Sequence, residues 1–108
     1  MHVLEIILPY DVDPELEEKY RRLKYMVKAE VKVVTVNYST FKEYLEYIKE
    51  MYGGRRLVEY IYVDAEDLPV FILDGQVIVE GNYPEVYELL ELLRYYGIRT
   101  RRKRQYVF

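Results

Sequence analysis

Apolar positions along this 108-residue chain fall into runs and stripes whose periods name the elements. Val3–Leu8 (VLEIIL) is almost unbroken, which suits a central strand covered on both faces. Pro9 and Tyr10 end it. Asp13-Pro14 reads as a helix N-cap with proline at the first helical position. Glu15, Glu17 and Glu18 then put negative charge where the helix dipole favours it. Leu16, Tyr20, Leu23 and Val27 recur at helical spacing and predict a helix over 14–29. Val31–Tyr38 is β-branched and partly alternating, a second strand, and the short links suit a right-handed βαβ unit. Thr40 and Glu43 match the S/T-x-x-E capping box. Phe41, Tyr44, Leu45, Ile48 and Met51 continue from there as the stripe of a second helix, which Gly53-Gly54 would end. Residues 55–63 (RRLVEYIYV) suit a strand by composition and a short helix by position; the helix is preferred.

The most informative stretch is LPVFILDGQVIVEGNYP, residues 68–84. Asp74-Gly75 lies between two apolar runs, and both residues of a type I′ turn need φ > 0, so a hairpin of strands 70–74 and 76–80 is expected. Pro69 opens the first of these strands, where a missing N–H costs least. A last helix is expected from about Pro84 to Tyr96, with Val86, Leu89, Leu90 and Leu93 inside and Gly97-Ile98 as its C-terminal cap. The order β-α-β-α-β-β-α predicts an α/β fold with a four-stranded mixed sheet. Strands 3–8 and 70–74 should be central, strands 31–36 and 76–80 at the edges, and 3–8 and 31–36 parallel.

That order resembles the thioredoxin fold, most specifically at Leu68-Pro69-Val70, Asp74-Gly75 and Gly81-Asn82-Tyr83-Pro84. Residues 68–98 are most similar to the arsenical-resistance metallochaperone family. The resemblance implies a cis Leu68–Pro69 bond facing a ligand site at the sheet end, with Tyr10, Asp11, Asp13, Leu68, Pro69 and Asn82 as candidate binding residues. A glutathione-like ligand would use backbone beside Pro69 and polar groups near Asn82. Where thioredoxin-like proteins carry their active-site cysteine, this chain reads Pro9-Tyr10-Asp11-Val12-Asp13.

The composition limits what the resemblance can carry. The chain has no cysteine and one histidine, His2. Thiol–disulfide exchange, thiol-based arsenite capture, thiolate metal sites and His-based triads are therefore excluded. No catalytic residue, metal or cofactor is expected. The net charge of −3 hides an asymmetry: the last ten residues hold Arg99, Arg101, Arg102, Lys103 and Arg104 and no acid. The preceding residues set 11 basic against 19 acidic side chains. On this reading a domain at 1–98 precedes a basic tail at 99–108 that lacks periodicity and awaits a partner. Docking on the acidic body, nucleic-acid binding, a membrane surface and plain solubility all suit such a tail.

Asp64, Glu66 and Asp67 read as a solvated loop rather than a cation site. Tyr25, Tyr47 and Tyr95 fall off the helical stripes, as contact aromatics do. The tail's Tyr106-Val107-Phe108 suits pairing on an open sheet edge, so a homodimer is expected. No apolar run is long enough to span a membrane and no secretory leader is evident, so a cytoplasmic location is expected. Fourteen tyrosines and 32% charged residues resemble proteins of hot habitats. The readings kept are a redox-inactive binding protein that self-associates, a glutathione-like-ligand carrier or enzyme, and a nucleic-acid accessory protein.

Overall fold

A computed structural model describes residues 1–51 and 65–101. The expectations at Gly53-Gly54, 55–63, Asp64 and 102–108 lie outside these. The elements are β1 (Val3–Pro9), α1 (Pro14–Arg21), β2 (Glu30–Val36), α2 (Tyr38–Met51), β3 (Val70–Leu73), β4 (Gln76–Glu80) and α3 (Val86–Tyr95). The four strands form one mixed sheet in the order β2-β1-β3-β4. β1 runs parallel to β2 and antiparallel to β3, and β3 and β4 form the hairpin.

β1 explains the two-sided core. Side chains of a strand alternate between faces, so a continuous apolar strand needs cover on both. Leu4, Ile6 and Leu8 pack with Tyr20, Leu23, Val27, Leu89 and Leu93 on the α1/α3 side. Ile7 packs with Phe41, Ile48, Val70 and Ile72 on the α2 side. A register shift at Phe71/Ile72 lets the consecutive Ile78 and Val79 of β4 both pack on the α1/α3 side.

The turn chemistry is local and conforms to its residues. Asp74 and Gly75 have φ of 51° and 87°. The Asp74 carboxylate also accepts the Val3 N–H at 2.8 Å, and its other oxygen lies 2.6 Å from His2 Nδ1, which ties the hairpin tip to the start of β1. At the end of α3 the Gly97 N–H donates to the Arg94 carbonyl and the Ile98 N–H to the Leu93 carbonyl, both at 2.9 Å. Gly97 has φ 90° and Ile98 is buried, so both the backbone and the apolar parts of the glycine cap are present.

Two helix starts and one helix end differ from expectation. The helix expected over 14–29 ends at Arg21, followed by a 3₁₀ turn over Arg22–Tyr25. Residues beyond it are drawn into backbone pairing with 99–101, which helix continuation would forbid. The second helix starts at Tyr38 rather than after Thr40. Its cap is reciprocal between Asn37 and Thr40: the Thr40 N–H donates to Asn37 Oδ1 at 3.0 Å, and the Asn37 N–H to Thr40 Oγ1 at 2.9 Å. Thr40 is thus the return partner of the cap, not its first residue. β2 stops at Val36 for the same reason. The last helix begins at Val86, with a capping box between Glu85 and Glu88.

Candidate functional site

Three places carry side chains with chemistry: the sheet end beyond β1, the tail's docking seam, and the buried face beneath α2. At the sheet end, the Val12 N–H donates to the Pro9 carbonyl at 3.1 Å and folds the chain into α1. Asp13 caps that helix, accepting the Glu15 N–H at 3.0 Å. Tyr10, 74% exposed, and Asp11 project from the loop between. The Leu68–Pro69 peptide is cis. Pro69 is buried, and its carbonyl accepts the Gly81 N–H at 2.9 Å, so the start of β3 is tied to the chain leaving β4. Leu68 is half-buried against the α2-side core. Asn82 donates to the Glu80 carbonyl at 3.3 Å.

Tyr20 ties α1 to the 81–84 loop. Its hydroxyl donates to the Pro84 carbonyl at 2.9 Å while its ring meets Phe71 edge-on at 5.3 Å. Burial, then Tyr83 and Glu85, pushes its phenol up to about 12. Tyr83 is raised as well, by partial burial and then by the Asp11 charge, which places Asp11 near the 81–84 loop. The expected sheet-end residues thus lie in three segments: 10–13 before α1, 68–69 before β3, and Asn82 after β4, where the neighbouring Gly81 is tied to Pro69. Tyr10, Asp11, Asp13 and Asn82 are all exposed, and Asp13 and Asn82 are engaged by nearby backbone. Glu66 and Asp67 belong to a 3₁₀ turn, Ala65–Asp67. Among the described residues no three acidic or histidine side chains converge as metal ligands would.

The tail's first residues are positioned by the chain itself. The Lys28 N–H donates to the Arg99 carbonyl at 2.8 Å and the Arg101 N–H to the Met26 carbonyl at 2.7 Å. These bonds flank an antiparallel bridge between Val27 and Thr100. The Arg101 Nε also donates to the Lys24 carbonyl at 3.3 Å. Docking on acidic side chains is thus not what holds 99–101; backbone pairing holds them, beside other cations. Lys28, Arg94 and Arg99 line one open groove with Gly97, Ile98 and Thr100. Lys24, Tyr25 and Arg101 line a second groove with Met1, Ala29, Glu30 and Val31. Arg21 and Arg22 pair with Glu17 and Glu18, whereas none of Lys24, Lys28, Arg94, Arg99 and Arg101 makes an ion pair among the described residues. Arg102, Lys103 and Arg104 lie outside those residues.

Sequence reasoning missed Lys24, Lys28 and Arg94 because each reads as an ordinary solvated helix position. It also missed Glu5, hidden as one polar residue in an apolar run. Glu5 is completely buried on β1. One carboxylate oxygen accepts the Tyr44 hydroxyl at 2.6 Å, and the other has no hydrogen-bond partner among the described residues. Burial raises its pKa above the ordinary carboxylate range, against the Tyr44 hydrogen bond and the Lys32 charge, while Glu30 adds to the rise. Among the described residues no helix is long and apolar enough to cross a membrane. No protein-family model matches the chain, and no curated protein matches it in sequence.

Proposed function

We propose that this chain is a non-enzymatic, redox-inactive binding protein of thioredoxin-like architecture, and that its working surface is the basic seam where residues 99–101 lie along 26–28. The observation that carries this reading is the gathering of five cations that make no ion pair among the described residues, on a chain whose other charges are mostly acidic. Like charges held together oppose folding unless a counter-charge joins them. Two open grooves flank the seam, which gives an anionic chain somewhere to lie. A sheet-end ligand is the weaker reading, because Asp13 and Asn82 already satisfy local backbone groups. The test is calorimetric titration with inorganic polyphosphate at rising salt. Binding that weakens with salt, and weakens further in an Arg99→Ala/Arg101→Ala variant, is expected. Absence of binding at low salt would remove the proposal.

A further inference from the structure

The aromatic side chains beside the seam narrow the class of polyanion, an inference that rests on the seam being a polyanion site. Tyr25 is 70% exposed and shares its groove with Lys24 and Arg101. The Lys24 ammonium stands 5.2 Å from the Tyr25 ring centroid, so ring and charge form one recognition unit. On α3, Tyr95 directly follows Arg94, which lines the other groove, and is 82% exposed. It meets Tyr96 edge-on with centroids 5.3 Å apart. Both grooves therefore hold cations, and the Tyr25 groove adds an open phenol ring.

We propose that the seam binds single-stranded nucleic acid, with phosphates along Lys24, Lys28, Arg94, Arg99 and Arg101 and a base stacked on Tyr25. A cationic track interleaved with aromatic rings is how sequence-tolerant single-strand binding works, since every base offers a π-face. A duplex hides those faces. An anionic membrane favours inserted Leu, Phe or Trp. Here the exposed large apolar side chains lining the two grooves are Met1 and Tyr25. An acidic peptide made of Glu or Asp has charge but no flat ring for Tyr25. Among the described residues Glu30 is the one carboxylate lining either groove, in the Tyr25 groove. It opposes phosphate there and favours the stacked base over a second phosphate at that spot.

The experiment is fluorescence anisotropy on the full chain with labelled oligouridylate and oligothymidylate. Competitors are a duplex of equal length, inorganic polyphosphate, oligoglutamate and phosphatidylserine vesicles. Single strands should bind, with a log–log salt slope of up to about −3.5 if all five cations meet phosphates. Arg99→Ala/Arg101→Ala should reduce that slope by about 1.4, two contacts' worth. Tyr25→Leu should weaken single-strand binding roughly tenfold, leave polyphosphate binding unchanged, and be rescued by Tyr25→Phe, which keeps the ring. The exposed position of Tyr25 keeps these variants folded, checked by circular dichroism. The inference is overturned if polyphosphate, duplex, oligoglutamate or vesicles compete better than single strands, or if Tyr25→Leu has no effect; polyphosphate binding then still supports the seam. If no polyanion binds, both the inference and the function proposed above are overturned.

Discussion

Replacing Glu5 should change how stability depends on pH. The folded protein buries this carboxyl with one oxygen on the Tyr44 hydroxyl and the other without a partner among the described residues. Its folded pKa is raised above 4.5, chiefly by burial. A raised pKa means that the folded state holds the proton more firmly than the unfolded chain. The contribution is then fully present below 4.5 and is lost as pH climbs through the folded value. Glu5→Gln keeps an acceptor for Tyr44 and removes the titration. Urea unfolding of both proteins between about pH 4 and about pH 8 isolates the effect, because all other carboxylates are shared. The stability difference should shift steadily toward the variant as pH rises. An unpartnered buried polar atom costs about 1–3 kcal/mol, and the lost Tyr44 hydrogen bond offsets about 1 kcal/mol of that. Glu5→Leu at neutral pH should therefore be neutral or stabilising by up to about 2 kcal/mol. A Glu5→Gln difference that stays constant with pH would refute the reasoning, since it would mean the carboxyl titrates alike folded and unfolded.

Tyr20→Phe should cost about 1 kcal/mol by leaving the Pro84 carbonyl without its donor. The wild type, whose phenol is held at about 12 against 10 unfolded, should lose that group's contribution as pH rises through this window. The Phe variant should not, and alkaline unfolding curves compare the two. Gly97→Ala places a Cβ at φ 90° and should destabilise by about 1 kcal/mol in thermal or urea unfolding. No destabilisation would mean that the cap relaxes freely. Among the described residues β2 and β4 are the sheet's edge strands, and a homodimer through such an edge should scatter light at twice the chain mass; a monomer at high concentration would exclude it.

Local chemistry was legible in the sequence. Asp74-Gly75, Asp13-Pro14 and Gly97-Ile98 each act through atoms within a few residues, and each appears as its residue types require. The two-sided core follows from the continuous apolar run of β1, which must be covered on both faces. What tertiary structure alone decided involves partners far apart in the chain. α1 stops early because residues 26–28 meet 99–101, a pairing that no local propensity encodes. That same pairing collects Lys24, Lys28, Arg94, Arg99 and Arg101, which in sequence are two helical surface sets and a tail. Glu5 looked like an interruption in a strand until α2 laid the Tyr44 hydroxyl over it. Side-chain period assigns a face to each residue. Which charges and hydroxyls share that face depends on how distant segments pack, and the sequence pattern contains no term for it.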